Sequence, residues 1–140
     1  MKKLINLSFI YGILAMISGV FYREFTKFND FTGRTSLSFT HTHLFVLGMF
    51  FFLIVLLVDK EFKLREHKNF NKFLVVYNFG LIVTAITFVW RGVTEVLKIQ
   101  LSSALTASIS GIAGIGHLFI AIGVIMFFLI LKKSVEKVEA

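Results

Sequence analysis

Apolar residues along this chain do not alternate, and they do not keep to the narrow stripe of a soluble amphipathic helix. They run on from Leu4 to Tyr22, from Phe39 to Val58, from Phe73 to Trp90, and through the C-terminal part of Leu101 to Leu131. About 20 such residues cross a bilayer as a helix. Lipid offers no partner to a free backbone group, so a span is a helix or part of a closed barrel, and runs this long with so little alternation exclude the barrel. The pattern predicts an all-α membrane protein, one four-helix integral membrane domain over residues 1–140, with spans at about 4–25, 39–59, 73–97 and 103–132.

Composition sharpens this. Of 140 residues 56% are hydrophobic, eighteen are Phe, and none is Pro or Cys; the mean hydropathy is +0.83. Without cysteine, disulfides, thiolate metal sites and thiol chemistry are excluded. Without proline, the spans are expected to be straight and unbroken. Met1-Lys2-Lys3 before an apolar stretch resembles a secretory leader, but the run is long and no small-x-small cleavage site ends it. It is expected to stay as the first span.

Charge sets the expected orientation. Lys2 and Lys3, the middle-loop residues Lys60, Lys63, Arg65, Lys68 and Lys72, and the tail residues Lys132, Lys133 and Lys137 lie on one side; Arg23, Lys27, Arg34, Arg91 and Lys98 lie on the other. Ten against five places both termini in the cytoplasm of a multi-pass cell-membrane protein. That topology and contact with anionic lipid explain the net charge of +7, so no nucleic-acid partner is implied.

The two halves resemble each other. Tyr11-Gly12 precedes Arg23 by the interval at which Phe79-Gly80 precedes Arg91, and Tyr22-Arg23 answers Trp90-Arg91. His43-Leu44-Phe45-Val46 and Phe51-Phe52-Leu53-Ile54 are answered by His117-Leu118-Phe119-Ile120 and Phe127-Phe128-Leu129-Ile130. This reads as a two-helix unit used twice in parallel.

A histidine inside a membrane is a functional hypothesis by default. Counted at 1.5 Å per residue from the inner edge, His43 and His117 are each about 21–22 Å deep, with Arg23 and Arg91 roughly a turn further out. In an up-down bundle the second and fourth helices occupy opposite corners, so the two rings are expected to meet across the axis. Ser110, Ala113, Gly114 and Ala121, all small, surround His117 at helical spacing and suggest an inward-looking cavity for a flat ligand. Such an arrangement suits a b-type haem held by His43 and His117, with Gly114 beside it and Arg23 and Arg91 meeting the propionates. Electron transfer, drawing on quinol or a redox partner, or haem and gas sensing would follow.

Other assignments use the same residues. Arg91 and Glu95 form an i,i+4 pair able to make a salt bridge, and with Arg23, Glu24 and the histidines they could bind a small anion or relay protons in a cofactor-free accessory or transport protein. If the second helix begins after His41, His41-x-His43 becomes a chelate for Cu or Zn, with Glu95 or Glu24 adding oxygen. No P-loop, dinucleotide fingerprint, nucleophile elbow or zinc-protease signature occurs, so the chain is not expected to be an enzyme on its own. A homo-oligomer is compatible with the composition.

Through Tyr22-Arg23-Glu24-Phe25-Thr26-Lys27, His41 to Gly48 and Gly111 to His117, the chain resembles a family of small four-span membrane proteins of unknown function, found mainly in Gram-positive bacteria. The likeness covers nearly the whole chain and implies the topology alone. Locally, His41-x-His43 with Gly48 resembles the haem-ligating His-x-His helices of haem-copper oxidases. That likeness implies an axial haem ligand at His41 or His43, and the depth match with His117 selects His43. The further copper-ligating histidines of that pattern are missing from the chain.

Overall fold

The computed structural model describes residues 1–139. Four helices account for most of it: α1 (Lys2–Phe28), α2 (Leu37–Phe62), α3 (Phe70–Val96) and α4 (Ser103–Glu139). Each is long and apolar enough to cross a membrane. No strand occurs among the described residues. The helices outrun the expected spans at most ends, most of all in α4, where Leu131, Ser134 and Val135 keep one partly covered stripe going beyond the apolar run.

Helix α1 packs on α2, α2 on α3, and α3 on α4, while α1 and α4 make no comparable contact. The bundle is therefore open along one side. Both hairpins use one device, a tyrosine ring laid on a glycine of the neighbouring helix. A Cβ at Gly48 would come within 2.6 Å of the Tyr11 ring, and one at Gly123 within 2.8 Å of Tyr77. Between α3 and α4 the backbones themselves meet, since a Cβ at Gly80 would lie 2.6 Å from the Ile120 nitrogen and 2.8 Å from the Gly116 oxygen. Small residues permit such approach where lipid gives no hydrophobic drive to association. The core at the loop end is aromatic: Phe51, Phe52, Phe73, Tyr77 and Phe127 interlock with centroids 4.3–6.3 Å apart.

One span is not regular. From Leu44 to Phe50, α2 winds as a π-helix, although the absence of proline predicted unbroken spans. Widening the turn frees carbonyls that lipid cannot satisfy. Neighbouring helices supply hydroxyls instead: Tyr77 Oη donates to the Leu47 oxygen at 2.8 Å and Ser8 Oγ to the Met49 oxygen at 2.9 Å.

The helix ends are closed locally. Lys63 takes the left-handed conformation (φ 51°) and stops α2. Buried Asp59 then accepts the Arg65 backbone N–H at 2.8 Å and pairs with the Arg65 guanidinium at 3.1 Å.

Candidate functional site

His43 follows the first turns of α2 and immediately precedes the π segment. His117 stands in the first half of α4. Their ring centroids are 6.2 Å apart, with planes at 86°. Phe88 of α3 lies behind them, 4.7 Å from the His43 ring and 6.0 Å from His117.

Each imidazole is anchored by its own helix. His43 Nδ1 lies 2.9 Å from the Phe39 carbonyl and His117 Nδ1 lies 2.8 Å from the Ala113 carbonyl. A carbonyl only accepts, so Nδ1 carries the proton and, in the neutral ring, Nε2 presents its lone pair. This is the tautomer of a histidine prepared to ligate through Nε2, with a backbone carbonyl fixing the ring from behind.

The pair does not meet across the bundle axis. His43 is half-buried and His117 exposed, and Ser110, Gly114 and Ala121 are exposed as well. The surroundings of His117 are therefore an open flank of α4 beside α2 and α3, not the inward cavity expected there. The cause is the division of labour among the small residues of α4. Gly116 and Gly123 are consumed by contact with α3, while added Cβ atoms at Gly111 and Gly114 would meet nothing within 4 Å. Packed against α3 in this way, α4 does not close on α1.

Arg91 hydrogen-bonds Ser110, two turns before His117 on α4. It is not paired with Glu95. That carboxylate instead accepts the Ser36 backbone N–H at 2.6 Å and the Ser36 hydroxyl at 3.1 Å, satisfying the first turn of α2. Thr35 Oγ1 adds a bond to the Gly92 oxygen at 3.0 Å. The C-terminal end of α3 is thus a docking point for the start of α2, and Arg91 keeps its charge uncompensated among the described residues. Thr84 and Thr87, two turns and one turn before Arg91 on α3, are buried in the packing.

Arg23 is elsewhere. Its side chain is 80% exposed and lies 3.7 Å from its neighbour Glu24, on the helix that does not reach α4. His41 points between α1 and α2, stacked on Tyr22 at 6.4 Å with Nδ1 buried and unpartnered. Because α2 begins at Leu37, His41 and His43 stand on different faces, and the His-x-His chelate does not form. Among the described residues no group of three or more His, Asp or Glu side chains is placed to hold a metal ion.

A second feature, missed in the sequence, is a cleft of about 370 Å³ between α1, α2 and α3. Tyr11, Ser18, Leu44 and Ile86 are among its walls, and so is Thr40, which is buried with its hydroxyl unpartnered. Its only sequence signal was a threonine one turn before His43.

No curated protein and no solved structure matches the chain. A family model does, across residues 1–134, and it includes every helix and residue described above up to Ser134. The chain belongs to this family, described as a protein of unknown function, DUF2871.

Proposed function

We propose that this membrane protein binds one b-type haem through His43 and His117 and works in electron transfer. The observation that carries the proposal is a donor set of two imidazoles with ring centroids 6.2 Å apart, each held by a backbone carbonyl at Nδ1, and no third His, Asp or Glu grouped with them among the described residues. Copper and zinc sites need three or four protein ligands. Haem brings four nitrogens of its own and asks the protein for two. With each nitrogen about 2 Å from a shared metal, rings on opposite sides of it have centroids about 6 Å apart.

The residues around the pair suit that group. Gly111 and Gly114 leave a bare helix surface beside His117, where a planar macrocycle meets no side chain. Phe88 lies behind both rings and keeps water from that side. Arg91, without a carboxylate partner, offers a cation for a propionate; Arg23, on the far helix, is not assigned that role. When bound, the haem supplies one-electron chemistry, and with both axial positions taken by protein, electron transfer is better supported than gas binding. The Thr40 cleft lies one turn along α2 from His43 and offers an apolar slot with one free hydroxyl, suited to a quinone carbonyl. The excess of Lys and Arg on the loop and tail favours cytoplasmic termini.

The cofactor-free alternative draws on a cluster of Arg23, Glu24, Arg91, Glu95 and the histidines. Glu95 is engaged by Ser36 and Glu24 lies by Arg23, so no observation favours it.

The test is hemin titration of the detergent-purified chain, followed by absorbance and a pyridine-haemochrome spectrum. The wild type should take up one equivalent as a low-spin species, and His43→Ala and His117→Ala should each lose that species while retaining helical circular dichroism. A chain that takes up no hemin, or takes it up equally in both variants, overturns the proposal.

A further inference from the structure

We propose that the loop between α2 and α3, together with the C-terminal end of α4, forms a binding site for the phosphate headgroup of an anionic phospholipid. It lies at the opposite end of the molecule from His43 and His117 and does not depend on haem.

The left-handed turn at Lys63 folds the loop back against the last turns of α4, and between them is a cleft of about 580 Å³. Lys63, Lys68, Lys133 and Lys137 line it, with His67 among them and Phe62 and Val138 as apolar wall. Among the described residues the single carboxylate in the lining, Glu66, lies 3.9 Å from Lys137. Lys63, Lys68 and Lys133 have no acidic partner among the described residues. Arg65 is committed to Asp59 beneath. Three uncompensated ammonium groups around a partly enclosed cleft beside a low-dielectric slab concentrate positive potential there, and the chemistry this recruits is a phosphate anion.

A second observation selects a lipid over free phosphate. A narrow groove of about 120 Å³ begins at His67 and Lys133, both of which also line the cleft, and continues over Met126, Leu129 and Ile130 on the flank of α4. Free phosphate would leave it unused. A phospholipid would fill both, headgroup among the lysines and acyl chain along the helix, as basic pockets at the ends of membrane helices do.

The experiment is native mass spectrometry of the full chain in neutral detergent with phosphatidylglycerol, phosphatidylcholine or inorganic phosphate. Phosphatidylglycerol should be retained at least tenfold more than phosphatidylcholine. The variant K63N/K68Q/K133Q should erase the difference; asparagine is chosen at Lys63 because it tolerates a positive φ. The variant K27Q/R34Q/K98Q, which removes the same charge at the other end, should keep it. Leu129→Ala, in the groove alone, should lower lipid retention several-fold while the protein still folds. Equal retention of the two lipids, equal loss in both triple variants, or displacement of the lipid by equimolar inorganic phosphate would each overturn the assignment.

Discussion

Tyr77 on α3 donates its hydroxyl to the backbone carbonyl of Leu47 on α2 at 2.8 Å, inside the π-helical stretch Leu44–Phe50. The bond does two things at once, tying adjacent helices together and satisfying a carbonyl that the widened turn has released. Removing the hydroxyl leaves that carbonyl in an apolar interior. Tyr77→Phe should therefore lower the unfolding free energy in detergent by about 1 kcal/mol, with the ring still packed among Phe51, Phe52 and Phe73. Because His43 abuts the π segment, the same variant should shift any haem spectrum; a change in neither melting nor spectrum would mean that the π turn holds without its partner.

Glu95 has a different partner from the one its spacing suggests. An i,i+4 match with Arg91 competes with the unsatisfied N-terminus of α2, and the backbone N–H of Ser36 wins at 2.6 Å. Glu95→Ala should cost about 1–2 kcal/mol, the loss of a helix cap plus its exposed donors, and Arg91→Ala much less. A double-mutant cycle between them should give a coupling below about 0.5 kcal/mol. A coupling well above that would restore the ion pair.

Thr40 sets stability against use. Its hydroxyl is buried and unpartnered, which is unfavourable unless something binds there. Thr40→Val keeps the shape and removes the orphan group, so the purified protein should be as stable or more stable by up to about 1 kcal/mol. If the cleft receives a quinone, reduction of bound haem by a short-chain quinol should slow several-fold in the same variant. A variant that is destabilised would show that the hydroxyl has a partner within the fold.

The four spans were legible because uninterrupted apolar runs leave the backbone one way to satisfy itself in lipid. The lateral arrangement was not. His43 and His117 were expected face to face in a central cavity, and what decided otherwise was the choice of glycines: Gly80 and Gly116 bring α3 and α4 into backbone contact, whereas Gly114, equally small in the sequence, faces open space. A stripe of small residues says that close approach is available, not which of its members is used. The π segment was hidden for a related reason, since it rests on hydroxyls of Ser8 and Tyr77 from two other helices. Arg23, placed by sequence distance beside the histidines, stands on a helix that the open bundle keeps away from α4.

That division among glycines gives the most discriminating comparison. At Gly80 a methyl group would collide with the Ile120 and Gly116 backbones, neither of which can turn aside as a flexible side chain would, so Gly80→Ala should separate α3 from α4 at a cost of roughly 1–3 kcal/mol. At Gly114 nothing stands within 4 Å, so even Gly114→Leu should change thermal stability by less than about 0.5 kcal/mol. The leucine would nevertheless project along the helix surface beside His117, where a macrocycle ligated by that histidine must lie. Gly114→Leu should thus give a fully folded protein that no longer takes up hemin, with His43 and His117 both intact. Uptake as strong as in the wild type would mean that the open flank of α4 is not where the cofactor sits, and the ligand pair would have to be sought from another side.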